Sequence, residues 1–191
     1  AQSRMDQRDK SFTTELVYGS IRNLGRNDFI ASQFSDRPWE EVDSGIVDVI
    51  RLGAHQLLNM RIPTHAAVDA TVNLARMVLG ESKASFVNAL MRKIASKDLN
   101  QHLAEFQDDS ITSLSIRYSH PEWIINAYRD VITDIEEVKS LLEANNTATS
   151  PTLVSWPTKS EITEFAGSPG KYSKYAVKIS QIPSEIPAIR E

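Results

Sequence analysis

Apolar residues recur at helical spacing from residue 9 to about residue 105, broken by short polar or proline-containing joints. "DKSFTTELVYGSIRN" sets Phe12, Leu16 and Val17 on one side, with Asp9 as a candidate N-cap and Gly25 just beyond its end. "RNDFIASQF" reads as a short second helix closed by "SDRP". Asp43 or Ser44 then caps "VDSGIVDVIRLGAHQLLNM", in which Asp48, Arg51, His55 and Asn59 share one narrow polar stripe. The rest of that helix is almost wholly apolar, and Gly53 lets a neighbour approach closely. A helix apolar around most of its circumference is buried on several sides, so it is expected at the centre of a bundle. Pro63 ends the segment, and Thr64 is a candidate cap for "HAAVDATVNLARMVLG", with Val68, Val72, Ala75 and Leu79 in one row and Gly80 as its stop. From Ser82, "KASFVNALMRKIASK" turns Phe86, Val87, Leu90, Met91 and Ile94 inward and Lys83, Asn88, Arg92, Lys93 and Lys97 outward. So short a connection makes these two helices an antiparallel hairpin.

Near residue 106 the pattern changes. "QDDSITSLS" is a polar connector, and "RYSHPEWIINAYRDVI" predicts a helix with Pro121 in its first turn. "DIEEVKSLLEANN" has Asp134 and Glu137 at capping-box spacing. After "TATSP" the period falls to two: "TLVSW" and "KYAVKI" read as strands, with a weak helix, "SEITEFAG", between them. The expected division is an all-helical domain over 1–110, followed over 111–191 by a helical linker and a partial α/β domain.

Composition narrows the function. The 191 residues contain no cysteine, so disulfides, thiolate nucleophiles and Cys-ligated zinc are excluded. No stretch approaches the roughly 18–20 apolar residues of a membrane span, and the polar start "AQSRMDQRDK" lacks a signal-peptide core; a cytoplasmic location is expected. The seven glycines form neither G-x-G-x-x-G nor a P-loop, and His55, His65, His102 and His120 lack metal-ligand spacing. No catalytic, cofactor or metal site can be assigned. The formal charge of −4 means that any nucleic-acid contact must rely on a local patch.

The segments "DKSFTTELVYGSIRN", "VIRLGAHQLLNMRIPTHAAVDATVNLAR", "FVNALMRKI" and "RYSHPEWII", in this order and spacing, resemble the NusB-like N-terminal region of the RsmB (Sun-type) 16S rRNA cytosine-5 methyltransferases. "YSHPEW" followed by "PTL" resembles the methyltransferases rather than free-standing NusB. The resemblance implies a mainly α fold: a NusB-like helical bundle, then the start of a small α/β (RRM-like) RNA-binding domain. It implies 16S rRNA as partner, with S-adenosylmethionine as cofactor of a full-length enzyme whose C-terminal methyltransferase domain this chain lacks. No cofactor in this chain, no membrane and no DNA are expected. The alternative is a free-standing NusB-like transcription antitermination factor binding RNA and a ribosomal protein; a purely structural interaction domain is a third class. Three departures stand out: only a stub precedes "RDKSF", where the family has a further helix. Val154, Ser155 and Trp156 replace the family's Arg-Val-Asn after "PTL", and the family's catalytic cysteines have no counterpart.

Two cationic groups are candidates for RNA contact. Arg92, Lys93 and Lys97 lie on the polar face of the bundle's hairpin, where a merely solvated face is the competing reading. Lys171, Lys174 and Lys178 interleave with Tyr172 and Tyr175, the composition of a strand that holds phosphates and stacks bases. An edge strand protected by lysines explains them as well. Tyr118 and Trp123 are read as core anchors, and Arg51 as a partner of Asp48.

Overall fold

The computed structural model describes residues 5–147, 151–154 and 167–179. The chain forms two compact units, residues 1–146 and 147–191.

The first unit is helical: α1 Gln7–Arg22, α2 Leu24–Ser32, a 3-10 turn Trp39–Glu41, α3 Ser44–Asn59, α4 Thr64–Leu79, α5 Glu81–Ile94, α6 Leu99–His102, α7 Ile111–Tyr118, α8 Glu122–Arg129 and α9 Ile135–Asn146. As the apolar pattern requires, α3 is central and packs against α1, α2, α4 and α5. Its N-terminus is capped by Asp43, whose carboxylate accepts from the Gly45 and Ile46 amides. A methyl group on Gly53 would come within 2.6 Å of Thr71 and 2.7 Å of Met91, so α4 and α5 pack directly on the α3 backbone. Val47, Ile50, Val68, Ala75, Val87, Met91 and Ile94 form the main core with Ile30 of α2. Leu114, Ile125, Val138 and Leu142 form a second core among α7, α8 and α9. Residues 111–146 belong with the helical unit, where their apolar residues form this second core.

Several local expectations need correction. Asp6, not Asp9, caps α1, accepting the Asp9 amide at 2.7 Å. Gly25 lies inside α2, which follows α1 after one residue. Thr64 begins α4 with Pro63 in the cap position, and Gly80 both ends α4 and precedes α5, which starts at Glu81 rather than at Ser82. Of the apolar residues assigned to the inner side of α1, Phe12 and Val17 are each 43% exposed; the helix buries only Gly19 and Ser20. Trp123 is 72% exposed and anchors no core, whereas Tyr118 packs against the second one.

In the second unit, β1 Thr152–Val154, β2 Gly167–Pro169 and β3 Ala176–Ile179 form an antiparallel sheet in the order β1-β3-β2. Val177 and Ile179 point to one side with Leu153 packed on them, while Lys178 points to the other. The expected helix "SEITEFAG" lies, but for Gly167 in β2, outside the described residues, as do Ser155 and Trp156.

Candidate nucleic-acid interface

The lysines and tyrosines of "KYSKYAVKI" do not share one strand. Pairing begins at Ala176, so Lys171, Tyr172, Lys174 and Tyr175 occupy the β2–β3 connection and only Lys178 is in the ladder. Hydrogen bonds from Gly170 N–H to Ala176 O (2.7 Å) and from Ala176 N–H to Ser173 O (3.1 Å) close this hairpin. Lys178 lies opposite Thr152 on β1 and Ser168 on β2, so its strand is central, and the edge-strand explanation of its charge fails. At the tip, Lys171 Nζ stands 5.1 Å from the Tyr172 ring centroid and Lys174 Nζ 4.9 Å from that of Tyr175, both within cation–π range. Tyr172 is 89% exposed. A projecting loop with two aromatic rings and two ammonium groups, backed by a third ammonium on the sheet, can stack bases and hold phosphates together.

The bundle cluster is less convergent. Adjacent positions on a helix point about 100° apart, and Arg92 and Lys93 go to different neighbours. Arg92 Nε donates to Asn88 Oδ1 (3.2 Å) and faces a cleft shared with Thr64, His65, Val68 and Asp69. Lys93 Nζ donates to Phe34 O (3.2 Å) and lies 3.9 Å from Asp36. Lys97 is exposed in the turn after α5. The three cations thus do not form one patch. In the last turn of α5, Arg92 and Lys93 also meet the favourable dipole of the helix C-terminus.

Sequence reasoning missed a buried polar hub. The Arg26 guanidinium donates to Asn23 Oδ1, to Asn59 Oδ1 (2.6 Å) and to Arg117 O (3.1 Å), while the Arg26 amide donates to Ser119 Oγ (3.3 Å). Ser119 is the left-handed C-cap of α7, at φ 54°. His120, next in "YSHPEW", is held by Tyr118 O at Nδ1 (2.7 Å) and approached by Asn145 at Nε2 (3.4 Å). This motif therefore ties the end of α7 to α2 and α9 and is structural. Burial pushes the Arg26 pKa down, with no carboxylate among the contacts that hold it. The only available signal was the mixed polar face of "RNDF", which periodicity treats as solvated.

Among the described residues no group of histidine and carboxylate side chains could hold a metal ion, and no helix is long and apolar enough to cross a membrane.

Comparison with known proteins gives the site its context. The NusB family profile matches residues 1–96. A Mycobacterium tuberculosis protein provisionally named a methyltransferase is 32% identical over 186 residues, covering 93% of this chain and 41% of the relative. The ribosomal RNA small subunit methyltransferase B of Vibrio vulnificus is 33% identical over 146 residues, 76% of this chain and 33% of that protein. Its counterpart in an Escherichia coli strain is 29% identical over 145 residues, 76% of this chain and 32% of that protein. The chain spans at most about two fifths of the length of these curated relatives.

Proposed function

The chain belongs to the NusB family, and from that premise we propose that it is the RNA-recognition part of an S-adenosylmethionine-dependent 16S rRNA (cytosine-5) methyltransferase. The observation that carries this reading is the extent of similarity: it continues beyond residue 96 through 93% of the chain in a longer protein named a methyltransferase. An antitermination factor built from the NusB bundle alone would not need residues 117–191. In the proposed role the chain binds and orients rRNA, while the cofactor and the reacting cytosine belong to a separate catalytic domain. Attack on C6 of cytosine in this chemistry uses a thiolate, and the chain has no cysteine to supply one. Binding is assigned to Lys171, Tyr172, Lys174, Tyr175 and Lys178, with a secondary contribution from Arg92, Lys93 and Lys97. The sheet unit has the better chemistry because its rings and ammonium groups occupy one hairpin and the strand it feeds.

The test is filter binding of the purified chain to 16S rRNA fragments, with methyl transfer from labelled S-adenosylmethionine measured in parallel. Saturable rRNA binding without methyl transfer is expected. Failure to bind any 16S fragment, or methylation by this chain alone, would overturn the reading.

A further inference from the structure

A cleft of about 250 Å³ opens between the turn preceding α3 and the first half of α5. Val42 and Ile46 form its apolar floor, Phe86 a wall, and Arg37, Asp43 and Lys83 its polar rim. Clefts that hold drug-sized ligands run from roughly 300 to 1,000 Å³, so this one suits a single planar group. The Arg37 guanidinium lies 5.8 Å from the Phe86 ring centroid, near the outer limit of cation–π contact at about 6 Å. It has no carboxylate partner among the described residues, whereas Lys83 is paired with Asp43 at 2.8 Å. Arg37 is exposed; Phe86 is half-buried and packs against the main core.

We propose that this cleft takes one unpaired RNA base, held between the Phe86 ring and the Arg37 guanidinium. This rests on the RNA-recognition reading and adds a subsite in the helical unit. Stacked bases are spaced about 3.4 Å apart, so a base between two planar groups needs about 6.8 Å, roughly 1 Å more than the present separation. Arg37 lies on a loop and has a long side chain, and rotation of that side chain provides the space. Phe86 is fixed by the core and acts as the stationary platform. Among the described residues Arg37 forms no ion pair, so its cation is available to a phosphate, whereas Lys93, which reaches the same loop at Phe34 O, is shared with Asp36 at 3.9 Å. The paired Lys83 and Asp43 offer a donor and an acceptor to the edge of the base.

The experiment is fluorescence titration of the purified chain with a single-stranded oligoribonucleotide carrying one 2-aminopurine, and with an oligomer of equal charge that has an abasic site there. Arg37→Gln, Phe86→Leu and the triple change of Lys171, Lys174 and Lys178 to Gln are compared, after thermal melts show each variant folded. Phe86→Leu keeps an apolar side chain in the core. Arg37→Gln and Phe86→Leu should each weaken the intact oligomer about ten-fold or more, as expected for one stacked base, and leave the abasic one within about two-fold. They should also reduce the 2-aminopurine signal change. Wild-type affinity and signal in both variants, with loss only in the triple-lysine variant, would overturn the cleft proposal and leave the RNA reading standing. Absence of binding by the unaltered chain would overturn both.

Discussion

His55 and Gly19 compete for one volume: a methyl group at position 19 would overlap Nε2 of the His55 imidazole. His55 is 1% exposed, and its ring lies beneath the one turn of α1 that is itself buried. The glycine thus sets how closely α1 approaches α3, and it does so at a point where the ring cannot retreat. Gly19→Ala should destabilise the helical unit by about 1–3 kcal/mol, the usual cost of overpacking. Gly25→Ala is the internal control, since its nearest neighbour would be Ser119 Oγ at 3.8 Å, an ordinary contact. Urea unfolding midpoints check the pair: Gly19→Ala should be lowered and Gly25→Ala unchanged or raised.

The same histidine makes stability depend on pH. Burial pushes its pKa below the ordinary value of 6.5; Glu15, 3.4 Å away, opposes this, and Arg22 and Arg26 reinforce it. With the folded pKa depressed, the unfolded chain binds more protons between the two pKa values. Stability is therefore complete above about pH 6.5 and falls as pH drops toward the folded pKa, by at most about 1.4 kcal/mol per pH unit. Asp43, Glu81 and Asp108 also have lowered pKa values, but their contributions are lost only below the ordinary carboxylate range, in a separate window. Between pH 7.5 and 5.5 the thermal midpoint should fall, and His55→Gln should flatten that slope.

Arg26 is the polar bond between the two helical cores. Its guanidinium reaches Asn59 of α3 and the Arg117 carbonyl of α7, and it is 9% exposed. Arg26→Met keeps much of the bulk but leaves the buried Asn23 Oδ1 and the partly buried Arg117 carbonyl without this donor, at a cost of about 1–3 kcal/mol. Amide exchange should then accelerate in α7 more than in α4, which this arginine does not touch. Equal protection changes in both helices would mean that the hub does not couple the two cores.

The bundle was legible because its apolar periodicity is long and unambiguous: α3, α4 and α5 occur where the spacing of Ile50, Val68 and Val87 put them. What the sequence hid were partners from other elements. The polar stripe on α3 is mostly engaged: Arg51 binds Asp28 at 2.7 Å, Asn59 binds Arg26, and His55 lies under α1. Periodicity examines one helix at a time and cannot distinguish a solvated stripe from one facing another polar surface. The strand β2, "GSP", has no alternation to detect. The cations of both candidate sites were visible as residue types, but only the backbone showed that Arg92 and Lys93 diverge and that Lys171 and Lys174 stand on a turn.

Burial ranks the core substitutions. Ile50 is fully buried, Leu57 only partly so, and Arg76 is an exposed cation paired with Glu81 across the α4–α5 turn. Ile50→Ala should cost about 2–5 kcal/mol and Leu57→Ala an amount near or below the lower end of that range. Arg76→Ala should leave the midpoint nearly unchanged, because exposed ion pairs contribute little. Denaturant melts that fail to separate Ile50→Ala from Arg76→Ala would mean that α3 is not the central helix.

Salt dependence distinguishes the hairpin site from a diffuse cationic surface. A chain of net charge −4 cannot draw RNA through its overall field, so affinity must come from local cations and from stacking. If Lys171, Lys174 and Lys178 each meet one phosphate, the slope of log affinity against log salt on single-stranded RNA is about −2, at roughly 0.7 per contact. Stacking on Tyr172 or Tyr175 contributes about 1–3 kcal/mol per base and changes little with salt. Changing the three lysines to glutamine should therefore weaken binding and flatten the slope. Tyr172→Ala should weaken binding and leave the slope intact, because it removes a ring and no charge. Filter-binding titrations between 50 and about 200 mM salt separate the two outcomes. An unchanged slope in the triple variant would assign the phosphate contacts to the cations at and beyond the end of α5, Arg92, Lys93 and Lys97, and leave the hairpin as a solvated loop.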